Sequence, residues 1–252
     1  MFSTLHFVWL AISAALIIAG SIVVIKKDVS LKTTLSILCA ICVASEIVKI
    51  FYVMIRGERV NDNGVFIKET DLPFHLCSLQ LFFAFVARFT QKEKVRNFCI
   101  NFMIPTCAIG GTAALIVVTV PCVFTNVRTY QYFIYHISLI WFSVVAIKKS
   151  GIKLDFKAML KMLIGLGAIV YVTFYINGFF QNTNFLYLSE PPMDGLPILN
   201  MNNGWFIYFI SYMVLALVLI TLFYTPFWIY YSVKGKQNIQ SEPLAETEQA
   251  AA

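Results

Sequence analysis

The sequence predicts an all-α, polytopic membrane protein built as a bundle of seven transmembrane helices. The first observation is composition: 59% of the 252 residues are hydrophobic and 13% are charged, with a mean hydropathy of +0.77. The second is that stretches without a charge reach about 20 residues, the length that crosses a ~30 Å hydrocarbon core. The third is an alternation of basic residues between successive connections. Together these observations exclude a soluble domain.

The spans follow one another along the chain with short polar connections between most of them. Apolar runs predict helices at 5–25, 31–55, 72–90, 97–120, 130–147, 158–180 and 205–231. The first is expected to be a retained helix, because lysines follow it directly and no clear cleavage site is present. We predict one membrane domain over residues 1–234 and a disordered cytoplasmic tail over 235–252, which is polar and lacks aromatic residues.

Basic residues mark alternate connections, which predicts the orientation. The connections after the first, third, fifth and seventh spans carry Lys26, Lys27, Lys32; Arg88, Lys92, Lys94, Arg96; Lys148, Lys149, Lys153, Lys157, Lys161; and Lys234, Lys236. The other connections carry Arg56, Arg59, Lys68 and Arg128. Because positive charge collects on the cytoplasmic side, the N-terminus is predicted outside and the C-terminus inside. This topology accounts for the net charge of +6 without a nucleic-acid partner.

Polar side chains inside the spans are the candidates for function, because each is costly in a membrane. With the predicted orientation they share the outer half of the bundle, as do all three histidines of the chain. We therefore predict one outward-facing polar cavity. Its members are Glu46, Lys49, His75, Ser78, His136, Asn177, Gln181, Asn184, Tyr208 and Tyr212.

Two pairs of residues inside the second span have alternative interpretations. Glu46 and Lys49 are three residues apart on one helix face, which fits a buried ion pair or a substrate-binding role. Cys39 and Cys42 resemble a metal or redox pair, but without a second ligand pair they are expected to pack in the core, with no metal or other cofactor.

The fourth span and the sixth connection carry backbone signals. Pro105, Gly110 and Gly111 favour a kinked packing helix over a broken helix of the transporter type. The connection 181–204 contains the apolar run 185–188 and no basic residue. We predict that it folds inward as a cap over the cavity; the alternative is a loop at the headgroup layer.

Three segments carry a resemblance to a known family. "LPFHLCSL", the later "YHISL" and "NTNFLYLSEPP…NMNNGWFIYF" resemble the YwaF-like family of bacterial integral membrane proteins over roughly residues 40 to 230. The resemblance implies a multi-pass protein of the bacterial cytoplasmic membrane. Its family positions here are Pro73, His75, Cys77, Ser78, His136, Asn184 and Pro191. Phe185 and Glu190 depart from the family pattern, which commonly has a tyrosine and a basic residue there.

The family is in turn distantly similar to eukaryotic seven-helix lipid acyltransferases and related ester hydrolases. That similarity implies a nucleophile on the third helix, with His136 or His75 as base, and Cys77 is the cysteine nearby. Because two residues of helix turn a side chain by about 200°, His75 and Cys77 can face one cavity only if this segment starts irregularly.

Three functions remain open at the level of sequence. The first is a lipid acyltransferase or hydrolase in which a thiol, such as that of Cys77, or a hydroxyl attacks the ester with His136 or His75 as base. The second is a small-solute binding or transport protein using Glu46, Lys49, the histidines, Asn177 and the tyrosines. The third is structural glue between helices. The expected partners are membrane lipid and an acyl-lipid or small-molecule substrate.

Overall fold

A computed structural model describes residues 3–56, 68–180, 182–193, 196 and 198–241, and the regular secondary structure of this part is all helical. Within those ranges lie seven α-helices and two short 3₁₀ turns. The helices are α1 (Thr4–Lys26), α2 (Leu31–Arg56), α3 (Leu76–Phe89), α4 (Glu93–Ile116), α5 (Val127–Lys149), α6 (Phe156–Phe179) and α7 (Trp205–Ser241). The 3₁₀ turns are Glu69–Asp71 and Phe185–Tyr187. The predicted tail at 235–252 stays a prediction, and residues 242–252 lie outside the described residues.

Six of the seven helices are long and apolar enough to cross a membrane, and α3 is the shorter one. Its 14 residues correspond to about 21 Å of helix, less than a ~30 Å hydrocarbon core. The predicted span at 72–90 therefore begins too early. Leu72 and His75 have extended backbone angles, and His75 is the N-cap. Pro73 disfavours helix at the residue before it, which explains the late start.

The core of the bundle is formed by α4 and α5, the most buried of the long helices. Residues 99–107 of α4 form a continuous buried run. Helices α1 to α4 pack around α5, whereas α6 and α7 lie against α4 at the periphery. Asn101 fixes α6 to α4, since its Nδ2 donates to the carbonyl of Ala158 at 2.9 Å.

α4 is one continuous helix through Pro105. A Cβ at Gly111 would lie 2.7 Å from Cγ1 of Ile140 and 3.2 Å from the carbonyl oxygen of His136. Only glycine therefore permits this close approach of α4 and α5. The structure thus agrees with a packing helix and not with a broken one, and the predicted kink stays a prediction.

The two ends of the bundle have different contacts. We call the end that holds the start of α1 the upper end. There His6 Nε2 lies 2.8 Å from the carbonyl of Leu115, near the end of α4. At the lower end Lys149 forms a 2.6 Å ion pair with Asp28. The hydrogen bond from Lys149 holds the pKa of Asp28 below its ordinary value.

Candidate functional site

Two adjacent glycines of α4 lie against α3 and α5, one next to the sulfur of Cys77 and the other next to the backbone of His136. A Cβ at Gly110 would lie 3.8 Å from Sγ of Cys77, and a Cβ at Gly111 would lie 3.2 Å from the carbonyl oxygen of His136. Because the two glycines are adjacent, Cys77 on α3 and His136 on α5 meet neighbouring points of one helix. The sulfur of Cys77 and the backbone of His136 therefore lie at the same level of α4, and a contact between the two side chains stays a prediction.

Cys77 lies in the first turn of α3 and is partly exposed. Its carbonyl accepts a hydrogen bond from the hydroxyl of Tyr135 at 2.6 Å, which ties α3 to α5. Cys77 also lies within electrostatic range of Tyr132 on α5, Tyr187 in the 3₁₀ turn before α7, and Tyr212 on α7.

The His136 ring is buried and held in one orientation. Its Nδ1 lies 2.7 Å from the carbonyl oxygen of Tyr132. Because a carbonyl oxygen can only accept, Nδ1 carries the proton and Nε2 keeps its lone pair. The rings of Tyr132 and Tyr135 pack against the imidazole at centroid distances of 4.3 and 5.4 Å. This tautomer is the one that a general base requires at Nε2.

The connection before α7 folds inward, as the sequence predicts. We call residues 183–190 the cap segment. Phe185, Leu186 and Leu188 are 0%, 6% and 1% exposed. The ring of His75 packs against Phe185 at 5.3 Å and Tyr187 at 5.2 Å. His75 therefore lies under the cap segment at the irregular start of α3, which is the irregularity that a shared site with Cys77 requires.

Asn177 holds the cap segment from the end of α6. Its Nδ2 donates to the carbonyl of Phe185 at 3.0 Å, and its Oδ1 accepts from the Phe185 N–H at 2.9 Å and from the Thr183 hydroxyl at 3.2 Å. Asn184 makes two hydrogen bonds within the segment. Its Nδ2 donates to the carbonyl of Glu190, and its Oδ1 accepts from the N–H of Ser189. The side chains of both asparagines thus form hydrogen bonds with the backbone of the cap segment. Their predicted role in substrate binding stays a prediction.

α7 supports the other side of the cap segment. The Tyr208 hydroxyl donates to the carbonyl of Tyr187 at 2.5 Å, and Trp205 Nε1 donates to the carbonyl of Leu188 at 2.9 Å. Tyr212 stacks on Tyr208 with ring centroids 6.2 Å apart. Burial raises the pKa of Tyr187, so its hydroxyl stays neutral near physiological pH.

The cap segment is strained where it turns. Leu186 and Tyr187 have φ of 58° and 54°, the left-handed region that bulky residues avoid. Such residues cost on the order of 1–3 kcal/mol each and persist only where the surroundings hold them. The hydrogen bonds from α6 and α7 stabilise the cap segment in this conformation.

Glu46 and Lys49 line a separate cavity of about 180 Å³ at the upper end of α2. Lys49 Nζ forms a 2.6 Å ion pair with Glu46 and donates to the carbonyl of Asp71 at 3.1 Å. The buried ion pair predicted from the sequence is therefore present, and the predicted substrate role is untested. We call this cavity the charged groove; its walls are Glu46, Lys49, Ile50, Val53, Asp71, Leu72 and Pro73.

Sequence reasoning missed a polar network beside this groove. Arg128 donates to Gln131 at 2.8 Å, and Gln131 donates to Ser45 of α2 at 2.5 Å. Arg128 also lies within electrostatic range of Asp71 and Glu46. The sequence interpretation used Arg128 only as a charge in a connection. Because α5 begins at Val127 and not at 130, Arg128 and Gln131 share a helix face.

The remaining predicted residues are peripheral or outside the described part. Ser78 lies partly exposed in the first turn of α3, and Gln181 lies outside the described residues. Within the described ranges, no group of three or more His, Cys, Asp and Glu side chains could hold a metal ion.

The profile of one family, described as the TMEM164 family, matches residues 1–224 of the chain. No curated protein and no solved structure gives a significant match. The family is one of membrane proteins, in agreement with the six long apolar helices.

Proposed function

The chain belongs to the TMEM164 family, and we propose that this multi-pass membrane protein transfers or hydrolyses an acyl group of a membrane lipid, with Cys77 as nucleophile and His136 as base. The observation that carries the proposal is that adjacent glycines of α4, Gly110 and Gly111, face the sulfur of Cys77 and the backbone of His136. The segments "LPFHLCSL" and "YHISL" resemble the YwaF-like family, which is in turn distantly similar to seven-helix lipid acyltransferases, and this resemblance also supports the proposal.

The protonation state of His136 supports its role as base. The hydrogen bond from Nδ1 to the Tyr132 carbonyl leaves Nε2 as the acceptor. In the proposed first step, the Cys77 thiol gives its proton to Nε2 and the thiolate attacks the carbonyl carbon of the lipid ester. The ester C–O bond then breaks, and the departing oxygen takes the proton from Nε2. The products are a thioester on Cys77 and a lysolipid.

A second half-reaction restores the thiol. A hydroxyl group, from a lysolipid or from water, attacks the thioester carbonyl while Nε2 accepts its proton. The C–S bond breaks, and the sulfur regains the proton from Nε2. A lipid acceptor gives acyl transfer, whereas water gives hydrolysis.

The cap segment supports this chemistry by covering the site. His75 contacts Phe185 and Tyr187 of the cap segment, and Tyr187 lies within electrostatic range of Cys77. A cover over a thioester limits access of water, which favours transfer to a bound lipid over hydrolysis.

The test is mass spectrometry of protein and lipid after incubation of the purified protein with an ester phospholipid. We expect an acyl adduct on Cys77 and a lysolipid product. Cys77→Ser should remove the thioester, and His136→Asn should slow its formation by about 10²–10⁴-fold, the usual contribution of a general base. Cys122→Ser is the matched control, because Cys122 is also partly exposed. Unchanged turnover in Cys77→Ser and His136→Asn would contradict the proposal.

A solute-binding or transport function is the second candidate. The charged groove favours it, because Glu46 and Lys49 both line a cavity. It predicts that a soluble ligand stabilises the protein in a Glu46-dependent manner while the lipid composition stays unchanged.

A further inference from the structure

We propose that Tyr135 is a positioning residue, whose hydroxyl fixes Cys77 relative to His136 through a hydrogen bond to the Cys77 carbonyl. This inference rests on the proposed function, because it concerns the same nucleophile and the same base. It assigns to Tyr135 a role in aligning the two groups and none in the proton transfer itself.

Cys77 lies where α3 receives the least support from its own backbone. The helix begins at Leu76, so Cys77 is its second residue. Within the described part of the chain, the side chain of the N-cap residue, His75, makes no capping hydrogen bond. A helix without such a bond loses part of the stability of its first turn. Contacts with neighbouring helices therefore determine where the backbone of Cys77 lies.

Helix α4 holds this turn through Gln80, which is fully buried. The Gln80 Nε2 donates to the carbonyl of Leu76 at 3.1 Å and to the hydroxyl of Thr106 at 3.1 Å. Its Oε1 accepts from the thiol of Cys107 at 3.4 Å. These bonds fix α3 against α4. They do not fix α3 against α5, which carries His136.

Tyr135 supplies the contact between α3 and α5. Its hydroxyl donates to the Cys77 carbonyl at 2.6 Å. Its ring packs edge-on against the imidazole of His136, with ring centroids 5.4 Å apart, and the side chain is buried. One side chain therefore contacts the backbone of the proposed nucleophile and the ring of the proposed base.

The hydrogen bond is not required to satisfy the Cys77 carbonyl. A carbonyl oxygen has two lone pairs, and inside α3 that of Cys77 has a helical partner in the N–H four residues later. Phenylalanine at position 135 would leave no polar group unsatisfied, so loss of the hydroxyl should affect folding little. It frees the first turn of α3 to shift against α5. A misplacement of about 1 Å can reduce a catalytic rate by about 100-fold.

The experiment measures acyl-adduct formation on Cys77 in a single turnover, with an ester phospholipid at increasing mole fraction in detergent micelles. Tyr135→Phe should lower the maximal rate by about 10–100-fold and leave the half-saturating mole fraction unchanged. The two quantities separate because alignment of the thiol with the imidazole matters in the reaction and not in lipid binding. The analogue para-aminophenylalanine at position 135 carries a donor at the same end of the ring, and it should restore most of the rate.

Ser143→Ala is the matched control. Ser143 lies on the same helix and is fully buried, and its hydroxyl donates to the carbonyl of Ile104 on α4 at 2.6 Å. The control therefore loses a hydroxyl–carbonyl bond of the same length between α5 and a neighbouring helix, about two turns of α5 away from Tyr135. Its maximal rate of adduct formation should equal that of the native protein, and thermal unfolding of both variants shows that each is folded.

Three results would overturn the inference. The first is an unchanged maximal rate in Tyr135→Phe, and the second is an equal loss of rate in Tyr135→Phe and Ser143→Ala, which would assign the effect to the stability of the bundle. The third is a rate that para-aminophenylalanine does not restore. Failure of the proposed function is distinct, because it appears as the absence of any adduct on Cys77 in the native protein, and it would overturn this inference as well.

Discussion

Gly111 shows how one missing side chain sets the distance between two helices of the site. The nearest atoms to a Cβ at this position belong to Ile140 and to the backbone of His136. A backbone atom in a helix cannot move away as a side chain can. The distance between His136 and α4 therefore depends on this glycine. Because Cys77 lies next to the adjacent Gly110, the position of His136 relative to Cys77 depends on it too.

We accordingly expect Gly111→Ala to destabilise the protein by about 1–3 kcal/mol, the usual cost of overpacking. The change should also reduce acyl-adduct formation on Cys77, because α5 moves away from α4. Thermal unfolding in detergent and adduct yield are the measurements. Gly167→Ala is the matched control, because a Cβ there meets nothing within 4 Å; it should be neutral or stabilise α6 by about 0.5–1 kcal/mol. Equal effects of the two substitutions would contradict this account.

At the scale of single elements, the cap segment depends on its neighbours for its conformation. Leu186 and Tyr187 have positive φ, and the hydrogen bonds that compensate come from Asn177 on α6 and from Tyr208 and Trp205 on α7. Removal of one support should therefore release the segment locally, while the bundle stays folded.

Asn177→Ala tests this directly, since it leaves the N–H and carbonyl of Phe185 without their partner. We expect a local cost of about 2–3 kcal/mol for the unsatisfied groups. Hydrogen exchange at 183–188 should then be about 30–150-fold faster, because each 1.4 kcal/mol is a factor of ten. Asn182→Ala is the control, because Asn182 is exposed in the same connection. Unchanged exchange in Asn177→Ala would show that α7 alone holds the cap segment.

At the scale of the whole molecule, the upper end gathers the candidate catalytic residues, the cap segment and the charged groove. The distribution of lysine and arginine predicts that this end faces away from the cytoplasm. The proposed site would then act on the outer leaflet of the membrane.

Cysteine labelling in intact cells tests the orientation. Thr125→Cys in the α4–α5 connection and Gln91→Cys in the α3–α4 connection both replace exposed residues at opposite ends. In a Cys122→Ser background, an impermeant maleimide should label position 125 in intact cells and position 91 only after permeabilisation. The reverse pattern would invert the topology and assign the site to the inner leaflet.

The sequence by itself determined the helical class, the membrane location and the inward fold of the connection before α7. These features depend on local composition. The length of the apolar runs determines the membrane helices, and the cost of exposing Phe185 and Leu188 to water determines the inward fold. It also offered the Glu46–Lys49 ion pair as one of two interpretations, because both residues lie on one helix face. The predicted spans differ from the helices mainly at their ends, as at α3 and α5.

Only the tertiary structure decided which polar groups meet. It brought the sulfur of Cys77 and the backbone of His136 to adjacent glycines of α4, and it linked Arg128 through Gln131 to Ser45 of α2. It also gave Asn177 a partner in the cap segment. The physical reason is that hydropathy and charge act within one segment, whereas these contacts depend on the packing distance and rotation between helices that are far apart in the chain.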